Sequence, residues 1–169
     1  MGYRIVVLSG ENQTLGTGNV LMAFNTAAAV TTAAGIVTVK RLEISQSGTA
    51  TLAMIRGEMA TRTTAGTFTT TSKAPVNVSP IGGSTPALAG STTVAATASS
   101  SGITSTADTT GTYTSVYPFN FANTAGYLWK PAPDEEIIVP AATVFVVRFL
   151  ATPGTTTGWT FSWVLGENV

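Results

Sequence analysis

The chain contains no histidine and no cysteine, and only 9% of its 169 residues are charged. Each absence removes a class of chemistry. Histidine is the usual proton shuttle near neutral pH, and cysteine supplies a strong nucleophile and a soft metal ligand. Without them the common zinc and copper sites and most acid–base machinery are out of reach, and no cofactor is expected. No disulfide can form, so stability rests on packing or on partners. Eight basic residues balance eight acidic ones. There is no cationic surplus to displace counterions from nucleic acid, and no polybasic stretch for an anionic membrane surface. No window supplies the ~20 apolar residues of a membrane-spanning helix. The most apolar stretch, Ile137 to Ala151, is interrupted by Pro140 and Arg148. A neutral surface with few charges protects poorly against association, which points to an oligomer or a fixed place in an assembly.

What remains is Thr, Ser, Ala, Gly and β-branched residues, the material of sheets and turns. The length suits one domain, here taken as residues 1–169. Its N-terminus, Met1-Gly2-Tyr3-Arg4-Ile5, does not read as a secretory signal, and Val6 stands where a myristoylation site needs Ser or Thr. Strands are expected at Tyr3–Leu8, closed by Ser9-Gly10, and at Val20–Phe24, with loops over Glu11–Asn19 and Asn25–Gly35. Val37 and Val39 share one parity and Leu42 and Ile44 the other, so a bulge is expected at Lys40-Arg41. Ile36–Arg56 reads as a hairpin turning at Gln46-Ser47-Gly48. Residues 60–115 are dominated by Thr, Ser, Gly and Ala; they are expected to form short strands joined by long loops, as an extended arm, a hairpin or a long-loop insertion, with disorder over Thr97–Thr112. Thr143–Leu150 and the final strand alternate cleanly. Phe145 and Phe149 in one, and Trp159, Phe161 and Trp163 in the other, are the expected core anchors. Many short strands with Gly/Pro turns predict an all-β, antiparallel β-sandwich that is jelly-roll-like.

Candidate reactive groups are few. Asp134-Glu135-Glu136 could offer oxygen ligands to a hard cation, but neighbours in an extended chain point apart, and a solvated turn is the better reading. Glu43 and Glu58 could form a glycosidase pair; pairing across strands with Arg41 or Arg56 is the expected use. Ser72-Lys73 are loop neighbours, not a dyad, and the glycines of Gly10–Gly18 lack the dinucleotide spacing. Tyr113, Tyr117, Tyr127 and Trp129 could stack on sugars or bases if exposed, or fill a core or subunit interface. The residues therefore predict no enzyme.

The segment Gly126-Tyr127-Leu128-Trp129-Lys130-Pro131-Ala132-Pro133-Asp134-Glu135-Glu136-Ile137-Ile138-Val139 resembles an element of small structural proteins of tailed bacteriophages, in which a Gly-aromatic-Leu-aromatic-x-Pro-x-Pro-Glu-Glu run precedes a β-strand. Arg41-Leu42-Glu43-Ile44-Ser45-Gln46-Ser47 shares the likeness; Asp134 departs from it. The resemblance implies a capsid decoration, or cement, protein: a β-sandwich homotrimer made in the host cytoplasm and placed on the outer capsid surface of the virion. Its partners would be the major capsid protein and copies of itself, with no nucleic acid and no membrane. The expected capsid or subunit contacts are Tyr117, Phe119, Tyr127, Leu128, Trp129, Pro131 and Pro133. Strand-edge pairing and the Thr-rich arm would help to hold the partner. The rival expectation is a head-fibre or tail receptor-binding module that recognises a host surface glycan through exposed aromatics.

Overall fold

Alternation along the chain resolves into strands on both sides of one aromatic core. The computed structural model describes residues 3–15, 19–25, 37–48, 51–62, 69–72, 76–77, 103–107, 112–140 and 143–168. The strands are β1 (Tyr3–Gln13), β2 (Val20–Asn25), β3 (Val37–Gln46), β4 (Met54–Arg62), β5 (Thr69–Ser72), β6 (Val76–Asn77), β7 (Ile103–Ala107), β8 (Tyr113–Ala122), β9 (Tyr127–Trp129), β10 (Ile137–Val139), β11 (Val144–Phe149) and β12 (Trp159–Asn168). The first sheet runs β10-β3-β12-β1-β6, with β9 also paired to β3. The second runs β5-β7-β2-β11-β4-β8. The pairings are antiparallel. The molecule is an all-β sandwich. From β1 to β4 the chain changes sheet at each step; β12 then inserts between β1 and β3, and β11 between β2 and β4.

The core is built by the two strands with the cleanest alternation. Trp159, Phe161, Trp163 and Leu165 of β12, and Phe145, Val147 and Phe149 of β11, are at most 1% exposed. Their rings meet between the sheets: Phe145 lies 5.7 Å from Trp163, Phe24 lies 5.4 Å from it edge-on, and Phe149 lies 4.7 Å from Trp159. Burying one indole contributes about 4–6 kcal/mol gross. The Trp159 N–H donates to the Thr155 carbonyl at 3.1 Å. The Trp163 N–H finds no partner among the described residues. Trp163→Phe removes that unpaired donor, so urea unfolding should show a loss of no more than about 1.5 kcal/mol, against about 3–5 for Trp163→Ala. A Phe variant as damaging as the Ala variant would contradict this.

Bulges set which residues face inward, and two show how. In β3, Arg41 pairs with Val164 and Val39 with Leu165, so Lys40 is skipped. Val37, Val39, Leu42 and Ile44 therefore all reach the core despite their conflicting parity. In β8, Tyr117 pairs with Met59 and Ser115 with Ala60, so Val116 is skipped. Gly57 lies opposite Phe119, and any Cβ there would stand 2.5 Å from that ring. The glycine leaves space for the aromatic.

Two expectations are corrected. Ile36–Arg56 is no hairpin: β3 lies in the first sheet and β4 in the second. The first strand does not stop at Ser9-Gly10 but continues to Gln13. Its register shifts between Gly10 and Gln13, where Asn12 takes φ +51°, a left-handed conformation asparagine tolerates. The short strands expected within residues 60–115 are present where the tract is described. Residues 60–62 complete β4, β5 and β7 extend the second sheet, and β6 pairs with β1. Of Thr97–Thr112, Ile103–Ala107 is strand and Thr112 is exposed; the rest lies outside the described residues, as does the loop over 26–35.

The loops at one end are tied by side chains. Buried Asn123 accepts from the Ala53 N–H at 2.9 Å and donates to Gln46 Oε1 and to the Thr51 carbonyl, both at 3.1 Å. Gln46 in turn donates to the carbonyls of Thr155 and Thr157, both at 3.2 Å. The network joins the β3–β4, β8–β9 and β11–β12 connections.

Candidate functional site

The two outer faces of the sandwich differ, and parity shows how. On the second sheet, Val20, Ala23, Ala60 and Val146 alternate with core residues and so point outward, yet they are at most 1% exposed. They form a second apolar cluster, against which Tyr113 and Val144 pack. Glu58 shares this face at 5% exposure and accepts from Arg148 at 2.6 Å, while the Arg148 guanidinium lies 4.1 Å from the centre of the Tyr113 ring. A buried carboxylate needs such a partner. The outer face of the second sheet is closed around these residues, while toward the start of β4 it is open, with Met54 68% exposed and Arg56 and Asn120 exposed.

The outer face of the first sheet is open. Leu128 is 60% exposed and Ile138 66%. Half-buried Ile5, Val7 and Val164 continue the apolar surface toward β1, interleaved with Thr38, Ser45, Thr160 and Ser162. Its charges are neutralised locally: Lys40 binds Glu136 at 2.8 and 2.9 Å, and Arg41 binds Glu43. A shallow hollow of about 420 Å³ lies over Ser45, Gly126, Leu128, Thr160 and Ser162. A broad apolar and hydroxyl surface with its charges paired suits contact with another macromolecule.

A second concavity lies beside this face, where β8 of one sheet approaches β9 of the other. Tyr127 stacks on Phe119 at 4.4 Å, and Tyr117 lies 5.6 Å from Trp129. With Lys130, Pro131 and Glu135, the rings of Tyr117, Tyr127 and Trp129 enclose a cleft of about 560 Å³. Burial, with the neighbouring Tyr117 and the hydrogen bond to it, pushes the Tyr127 phenol up to about 12. Both features are concave surfaces with polar groups placed among apolar ones.

No family model, curated protein or solved structure matches the chain.

The structure separates the expected contact residues. Leu128 and Pro133 are exposed, Tyr117 is 39% exposed, and Tyr127 and Pro131 are half-buried. Phe119 and Trp129 are each 6% exposed and pack in the core, so they offer little surface of their own to a partner. Their parity opposite Gly57 and Leu42 turns them inward. Ile138, Val164, Ile5 and Val7 were not anticipated. For Ile138 a signal existed: three apolar residues in a row, Ile137-Ile138-Val139, must send at least one outward in a strand.

The carboxylate expectations divide. Glu43 lies on β3 of one sheet and Glu58 on β4 of the other, each on its outer face, so they form no catalytic pair. The pairing across strands with Arg41 or Arg56 is corrected: Glu43 does bind Arg41, but along the same strand, and Glu58 pairs with Arg148, its direct cross-strand neighbour. Asp134 and Glu135 are exposed in a turn, while Glu136 serves Lys40. Ser72 ends β5, and Lys73 lies outside the described residues.

Strand-edge pairing finds poor templates here. β8 carries the Val116 bulge and Pro118, β9 is three residues long and followed by Pro131, and β10 is three residues long and followed by Pro140. Prolines and bulges blunt exposed edges. Side chains on the open face are better placed for contact than backbone groups at its rim.

Proposed function

We propose that this chain is a non-enzymatic structural protein of a tailed-phage virion. It docks the open face of the first sheet on the outer capsid surface and bridges major capsid subunits. The observation that supports the reading is the unequal burial of the middles of the two outer faces: the second sheet is covered at Val146 and Ala60, and the first is open at Leu128 and Ile138. Burying the apolar part of this surface against a partner contributes favourable free energy. Assembly as a homotrimer would multiply one such contact by three, and avidity would make the attachment durable. The likeness of residues 126–139 to phage structural proteins gives the reading its partner. The absence of histidine and cysteine gives it its non-catalytic character.

Particles with and without the chain test this. Quantitative mass spectrometry should find on the order of hundreds of copies per particle, as icosahedral repetition requires. Particles lacking the chain should rupture at a lower temperature. A handful of copies, or an unchanged rupture temperature, would rule out the cement role.

A further inference from the structure

We propose that the cleft between β8 and β9 is a saccharide-binding site that takes a neutral pyranose unit. The inference is independent of capsid docking, because it rests on a different concavity. The cleft holds about 560 Å³, within the usual range for small-ligand sites and ample for one or two sugar rings. Tyr117 offers a partly exposed ring as a platform for the C–H face of a sugar. Two opposite charges stand at its rim. Neither the Lys130 ammonium nor the Glu135 carboxylate has a hydrogen-bond or ion partner among the described residues. Lys130 can donate to a sugar hydroxyl and Glu135 can accept from one.

The pair of charges narrows the ligand class. A phosphate or carboxylate ligand would meet Glu135, and a cationic one would meet Lys130. A proline-rich peptide would satisfy the aromatic surface, but it has no N–H at proline to give Glu135. A ring with an apolar face and hydroxyls around its rim uses all three groups. The Tyr127 ring, stacked on Phe119 at 4.4 Å, is held in place beside Tyr117, and both line the cleft.

Saturation-transfer NMR on the full chain tests the assignment. The neutral probes are glucose, galactose, mannose, N-acetylglucosamine, maltose, lactose and cellobiose. N-acetylneuraminic acid serves as the charged comparison and hexaproline as the peptide comparison. Transfer to at least one neutral sugar is expected, with weaker or no transfer to the two comparisons. Tyr117→Ala should weaken binding about tenfold through lost stacking. Glu135→Gln, in an exposed turn that leaves the fold untouched, should weaken it about tenfold through the lost charged acceptor. The Gln variant decides the matter if the Ala variant does not fold. No transfer to any neutral sugar, preference for either comparison, or full binding by Glu135→Gln would overturn the proposal.

Discussion

Gly158→Ala should lower the melting temperature by about 8–16 °C, the shift that a loss of about 4 kcal/mol produces in a chain of this size. Gly158 sits just before β12 with φ +77°, a conformation that costs any other residue free energy. The greater cost is steric. An added Cβ would overlap the carbonyl oxygen of Ser47, a backbone atom that cannot swing aside. The contact cannot relax cheaply. The Ser47 N–H donates to the Gly158 carbonyl at 2.8 Å, and the Ser47 hydroxyl donates to the same oxygen at 3.1 Å. Moving either backbone segment breaks these bonds and shifts β12, whose Trp159 begins the core. Gly154 supplies the control. Nothing lies within 4 Å of a Cβ built there, so Gly154→Ala should stay within about 0.5 kcal/mol of the native chain. Calorimetry of the two variants reads both expectations. A native melting temperature for Gly158→Ala would show that the junction is not tight.

Asn123→Ala should cost about 3 kcal/mol in urea unfolding, because it leaves several buried polar groups without partners at once. Asn123 is 4% exposed and serves the Ala53 N–H, Gln46 Oε1 and the Thr51 carbonyl. Each partner belongs to the segment that carries the chain from one sheet to the other. Asn123→Asp separates hydrogen bonding from packing. It keeps the volume and the acceptor for Ala53, but loses both donors and turns an acidic group toward two oxygen acceptors. The Asp variant should therefore be at least as damaging as the Ala variant. If Asp is tolerated while Ala is not, volume and not the network holds the loops.

Some of this fold can be read along the chain, and particular residues show why. The inward faces of β11 and β12 were legible because the largest side chains, Phe145, Phe149, Trp159, Phe161 and Trp163, all share one parity within their strand, although Val144, Val146 and Val164 stand among the outward residues. The β3 bulge was legible because Val37 and Val39 cannot share a face with Leu42 and Ile44 unless a residue is skipped. The β8 bulge was not. Tyrosine suits either face, so nothing in Tyr113–Tyr117 announces that its two ends point to opposite sides of the sheet. The turn at Gln46-Ser47-Gly48 marks a change of direction but does not say to which sheet the chain returns. That choice rests on Asn123 and Gly158, more than 70 residues away. Gly10 reads as a strand end by its type. Its actual setting is opposite Phe161, whose ring fills the space a Cβ would need. Least legible was the difference between the two outer faces. Val146 and Ile138 are alike as sequence, and only long-range packing buries one and exposes the other.

The docking claim is tested most directly at Leu128 and Ile138. A Leu128→Lys, Ile138→Lys double variant places two unpaired charges on the open face and touches no core residue. It should keep the native melting temperature and lose attachment to particles lacking the chain by about a hundredfold or more, as a disrupted interface centre does. Met54→Lys, at a residue 68% exposed on the end of the second sheet, should attach normally. A folded double variant that attaches as tightly as the native chain would contradict the account.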